Sequence, residues 1–70
     1  MTPIYKMIAT QLIQELECAG CKVDCKDNGF AFDRAIFKLG INDRVNDWTD
    51  EMYDQYYVIE QEMINNYINQ

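Results

Sequence analysis

Apolar residues at three- and four-residue spacing, halted by single glycines, constrain this chain more than any other feature. Ile4, Ile8, Leu12, Leu16 and Ala19 fall on one face of a helix, widened by Tyr5 and Ile13. Lys6, Thr10, Gln14 and Glu17 fill the opposite face. Thr2 is a capping residue, and Pro3 suits the first helical position, where a missing N–H costs nothing. Gly20 accepts the left-handed conformation that follows a last turn. The spacing therefore predicts a helix over Pro3–Ala19.

The C-terminal part carries the same period. Thr49 or Asp47 is placed to cap a helix running from Asp50 to about Tyr67, and Asp50 and Glu51 in its first turn complement the helix dipole. Met52, Tyr56, Ile59, Met63 and Tyr67 make its expected core stripe. Trp48, just ahead of it, is expected to staple the helix start to the core; the alternative is an exposed anchor, since tryptophan is enriched at binding hot spots.

The middle supports two readings. Val23 and Cys25, then Asn28-Gly29, then Phe30 and Phe32 form the pattern of a two-residue hairpin. The other reading is a helix over Phe30–Leu39, through Phe32, Ala35 and Ile36, stopped by Gly40, with Ile41 making the apolar contact that often follows such a stop. The helix is favoured, which gives an all-α fold, a small three-helix domain; the alternative is α-β-β-α with a hairpin at Asn28-Gly29. Ile41 to Trp48 reads as a polar connection. Seventy residues, 49% of them hydrophobic, suit one small globular domain, which at this size buries only ~60% of the surface its unfolded chain exposes.

Charge is divided unequally. Up to Arg44 the chain carries six basic and six acidic side chains; beyond it come Asp47, Asp50, Glu51, Asp54, Glu60 and Glu62 with no Lys, Arg or His. The whole net charge of −6 thus lies behind Arg44, together with four of the five tyrosines. A one-signed surface repels nucleic acid and anionic membrane and attracts basic proteins.

On a wheel of ~100° per residue, Asp47, Asp50, Glu51, Asp54 and Glu62 cluster opposite the Met52/Ile59/Met63 stripe. A solvated face is the simpler reading. An ordinary solvated helix mixes signs, however, because opposite pairs at i,i+4 add ~0.2–0.5 kcal/mol each. A second apolar set, Tyr53, Tyr57, Ile64 and Ile68, lies beside the acids. Aromatic anchors next to steering charges characterise a contact surface. Asp47, Asp50, Glu51, Asp54, Tyr53, Tyr57 and Glu62 are therefore the expected partner-binding residues, and the expected partner is a basic protein surface, such as a nucleic-acid-handling protein or complex. Carboxylates at each turn also suggest an inhibitor that mimics nucleic acid; small acidic phage proteins, anti-CRISPR proteins among them, share this size and charge, without a shared motif. The alternatives are a homodimeric structural module joined through the apolar shoulder, or a metal-binding protein.

The metal alternative rests on Cys18, Cys21 and Cys25. Thiolates at this spacing chelate zinc, but a structural site takes four ligands, and the sequence has neither a fourth Cys nor any His. The favoured reading places Cys18 near the apolar face of the first helix and packs Cys21 and Cys25 as small buried apolar side chains, and no cofactor is expected. Catalysis is not expected either: histidine and serine are absent, and the three glycines are too dispersed for a phosphate loop. Met1-Thr2-Pro3-Ile4-Tyr5-Lys6 does not read as a signal peptide, and no run approaches the ~18 apolar residues of a membrane span. A cytoplasmic location with reduced thiols is expected.

Overall fold

The computed structural model describes residues 3–20, 22–23 and 28–70. They form four helices: α1 (Pro3–Cys18), α2 (Gly29–Leu39), α3 (Asn42–Asn46) and α4 (Asp50–Ile68). Among the described residues there is no strand, so the all-helical fold holds. The hairpin alternative fails at its turn. Asn28 caps α2 and Gly29 opens it, and the Phe32 amide donates back to the Asn28 carbonyl at 2.9 Å. Phe30 and Phe32 are therefore helical; Cys25, on the other arm of that hairpin pattern, lies outside the described residues.

Helix α1 is the central element. It packs against both α2 and α4, while α2 also touches α3. Its buried residues Tyr5, Ile8, Ala9, Leu12, Ile13 and Leu16 follow the expected stripe. Opposite them α2 contributes Ala31, Ala35 and Ile36, and α4 contributes Tyr56 and Ile64. Ala31 and Ala35, one turn apart and fully buried, keep the α2 surface low, and interaxial distance depends on the side chains at the contact.

The end of α2 shows why Gly40 and Ile41 stand where they do. Gly40 sits at φ +70°, a left-handed conformation that an L side chain rarely adopts. Its amide donates to the Phe37 carbonyl at 3.1 Å, and the Ile41 amide reaches back to Ile36 at 3.0 Å. This pair of bonds satisfies carbonyls that the helix end would otherwise orphan, and Ile36 and Ile41, the two positions of the apolar pair that goes with it, are both buried.

Two expectations change. The connection after Ile41 is a short helix, α3, whose single buried residue is Val45. The core stripe of α4 is also rotated. Its fully buried row is Tyr56, Glu60 and Ile64, with Met52, Ile59, Met63 and Tyr67 only partly covered. That row has four-residue spacing and faces α1. Ile64, expected on an exposed shoulder, has no exposed surface at all. A carboxylate in the middle of the row hid it from a pattern built on apolar residues.

The start of α4 is built as the sequence implies. The Thr49 hydroxyl oxygen accepts from the Met52 amide at 3.3 Å. Trp48 and Tyr53, the residues before the cap and at the fourth helical position, meet edge-to-face with centroids 5.2 Å apart. That is a staple across the cap. Trp48 also lies 5.3 Å from Tyr5 and 5.7 Å from Tyr56, so its ring ties α1 to α4. Phe32 of α2 joins the same cluster, 5.2 Å from Tyr56.

Candidate partner-binding face on helix α4

Nineteen residues make α4 about 28 Å long at 1.5 Å per residue. With Tyr56, Glu60 and Ile64 turned to α1, the opposite side presents Glu51, Asp54, Val58 and Glu62, and Asp50 and Tyr57 flank it on one side, all exposed. Tyr57 and Val58 leave 52% and 58% of their surfaces open. Among the described residues the two salt bridges both belong to Glu15, and neither reaches α4. The outward face of α4 therefore combines apolar side chains with carboxylates that form no salt bridge among the described residues.

Two of the expected residues stand differently. Asp47 is exposed but is not on α4: it closes α3, its amide donating to the Arg44 carbonyl at 3.2 Å. The regular rise expected from Asp47 through Asp50 to Asp54 thus starts only at Asp50. Tyr53 is 41% exposed, yet its ring is held by Trp48 and Phe32, and its hydroxyl donates to the Val45 carbonyl at 3.3 Å. It borders the acidic face as a fixed wall. Ile68 is exposed near the end of the helix, and with Ile64 buried the expected apolar shoulder is reduced to Tyr57 and Ile68 beside Tyr53.

Two buried carboxylates escaped the sequence reading. Glu15 lies on the buried side of α1, where it accepts from Gln11 Nε2 at 2.8 Å and pairs with Lys38 Nζ at 2.8 Å and Arg34 Nε at 3.0 Å. Lys38 first, then Arg34 and Gln11, hold its carboxyl down at about 2. The signal was available: Glu15 is seven residues after Ile8 on the apolar stripe, and Arg34 and Lys38 are one turn apart on α2. The cluster joins α1 to α2 at a position where a carboxylate without cations would be costly.

Glu60 has no such cations. It is buried between Tyr56 and Ile64, and its Oε1 accepts from the Tyr56 hydroxyl at 2.9 Å. Burial pushes the Glu60 carboxyl above its ordinary value; the Tyr56 hydroxyl pulls the other way, as does nearby Gln61, whose buried amide nitrogen falls short of hydrogen-bond geometry. Burial and the same carboxylate push the Tyr56 phenol up. At the far end of α4 the Glu17 carboxylate of α1 raises the Tyr67 phenol too.

Cys18 is exposed at the end of α1, which corrects its expected place beside the apolar face. Cys21 and Cys25 lie outside the described residues. Among the described residues no three His, Cys, Asp or Glu side chains converge on a metal position, and no helix is long and apolar enough to cross a membrane.

No protein-family model, curated protein or solved structure matches the chain.

Proposed function

We propose that the chain is a small protein-binding module that docks the outward face of α4 on a basic protein surface, as an inhibitor or adaptor and without catalysis. One observation carries this reading. Asp50, Glu51, Asp54 and Glu62 stand exposed along the outward half of α4, with exposed Val58 among them and exposed Tyr57 at the edge, in a stretch that holds no basic residue after Arg44. Carboxylates of one sign raise the encounter rate with a cationic partner and orient it, while the aromatic and aliphatic side chains supply area that is buried on contact. Tyr53, immobilised by Trp48 and Val45, adds an edge whose ordering cost is already met within the fold.

A nucleic-acid-handling protein in the cytoplasm is the partner that uses this charge most fully, because its binding groove is built to accept a row of anions. Asp50 and Asp54 are one turn apart, about 6 Å of rise, and Asp47 extends the negative surface beyond the helix.

The test is co-purification of the chain from its native cell, with the captured protein then titrated in solution. Binding is expected to weaken steeply with added salt. Asp50→Lys combined with Asp54→Lys is expected to abolish it and leave the helical circular dichroism unchanged. Unaltered affinity in the double variant would overturn the reading.

A further inference from the structure

Helix α2 turns a second face to solvent that the proposed contact of α4 does not use. Its buried residues are Ala31, Ala35 and Ile36, with Phe32 and Leu39 partly covered. Directly opposite, one heptad apart and so within about 20° on the wheel, stand Phe30 and Phe37. They are 48% and 72% exposed. A phenylalanine contributes about 1.5–3 kcal/mol when fully buried, and here two lie along the outermost line of an 11-residue helix.

The flanks of that line carry opposite charge. Asp33 is on one side, about 50° away, and Arg34 is equally far on the other, with Lys38 beyond it. Arg34 and Lys38 share the single carboxylate of Glu15, so their flank keeps one positive charge in excess. Asp33, Arg34, Phe37 and Lys38 line an open hollow of about 300 Å³.

A face with an apolar seam, an acid on one flank and surplus base on the other complements itself in one orientation. If two copies of α2 lie side by side and parallel, related by a two-fold axis along the helices, the acidic flank of each meets the basic flank of the other. Phe30 then meets Phe30 and Phe37 meets Phe37. The second copy's Asp33 supplies the negative charge that the Arg34/Lys38 flank lacks. An antiparallel pair does the reverse: acid meets acid and base meets base, which costs energy. We propose that this face of α2 is a homodimer interface, with two copies paired in parallel through Phe30 and Phe37 and cross-linked by Asp33 to Arg34 and Lys38 of the other copy. Such an interface is isologous and closes at two subunits. The helix is only about 16 Å long, so the contact falls in the small, reversible class below roughly 1,200 Å².

Sedimentation equilibrium of the full chain from about 10 μM to about 1 mM tests this in the range where a weak dimer forms. The wild type is expected to pass from monomer to dimer. Phe37→Asp, at a position too exposed to unfold the chain, is expected to raise the dissociation constant about tenfold or more. Asp33→Lys, which makes both flanks cationic, is expected to weaken the dimer, and Tyr57→Asp on α4 to leave it unchanged. A monomer throughout the range, or a dimer indifferent to Phe37→Asp, overturns the interface. A dimer strengthened by Asp33→Lys overturns the parallel pairing. None of these outcomes bears on the binding of a basic partner by α4.

Discussion

The Tyr56 hydroxyl donates to Glu60 Oε1 at 2.9 Å, one turn apart on a helix row that is otherwise apolar and faces α1. The tyrosine gives the buried carboxyl a hydrogen-bond partner but no countercharge. Glu15, buried on α1, has two cations. The chain thus buries two carboxylates in opposite electrostatic settings, and their contributions to stability run in opposite directions with pH.

For Glu60 the folded state raises the carboxyl above its unfolded value, so the folded chain holds the proton more tightly. Its contribution is fully present below the unfolded value and is lost as pH rises through the folded one. Glu60→Gln keeps an oxygen for the Tyr56 hydroxyl and removes the charge. Urea unfolding from pH 4 to pH 8 is expected to show the variant gaining on the wild type as pH rises. A constant difference across that range would contradict the assignment.

For Glu15 the sign is reversed. Its folded value of about 2 lies below the ordinary 4.5, so its contribution is present above 4.5 and is lost as pH falls toward 2. Glu15→Gln is expected to be less stable than the wild type at pH 7. It should also lose the part of the acid dependence that lies between pH 4.5 and pH 2. Acid unfolding followed by circular dichroism reads both effects.

Ile64 and Ile68, one turn apart, are predicted to respond very differently to shortening. Ile64 has no exposed surface, and Ile64→Ala is expected to cost about 2–5 kcal/mol. Ile68 is half exposed, and Ile68→Ala should stay within about 0.5 kcal/mol. Should Ile64→Ala prevent folding, Ile64→Val, expected to cost about 0.5–1.5 kcal/mol, gives the same contrast. Thermal and urea unfolding of the variants check it.

The start of α4 gives a local test. Thr49→Ala removes the acceptor for the Met52 amide and is expected to cost about 1 kcal/mol. A double-mutant cycle on Trp48 and Tyr53 is expected to show a favourable coupling of about 0.5–1.5 kcal/mol for the edge-to-face pair. Additive losses would mean that the staple contributes nothing beyond separate burial.

What the sequence makes legible here is local. The three long helices, the stops at Gly20 and Gly40 with Ile41 behind it, the Thr49 cap and the Trp48 staple depend on residues within a turn of one another. What it hides is tertiary. Glu60 reads as one more acid of the tail until α1 lies across it. Its polarity shifted the expected stripe of α4 toward Met52, Ile59 and Met63 and left Ile64 on the wrong side. Glu15 reads as solvated until Arg34 and Lys38 are folded over it. In the candidate face, Asp50, Glu51, Asp54, Tyr57 and Glu62 stand out from the helix as helical spacing places them. Asp47 does not, because the short helix α3, with Val45 as its sole buried side chain, gave no periodic signal.

The central position of α1 also governs how this protein comes into being on the ribosome. Helix α1 is translated before both of its neighbours: α2 can cover one side once residue 39 has emerged, but the other side waits for Tyr56 and Ile64. Until then Tyr5 and its neighbours are open to chaperones and to other nascent chains, since domains generally fold as whole units. The contacts that close the core are among the longest in sequence separation, and such contacts form late and slowly. Closure of this core therefore waits on α4, the element that must reach back across the chain to α1.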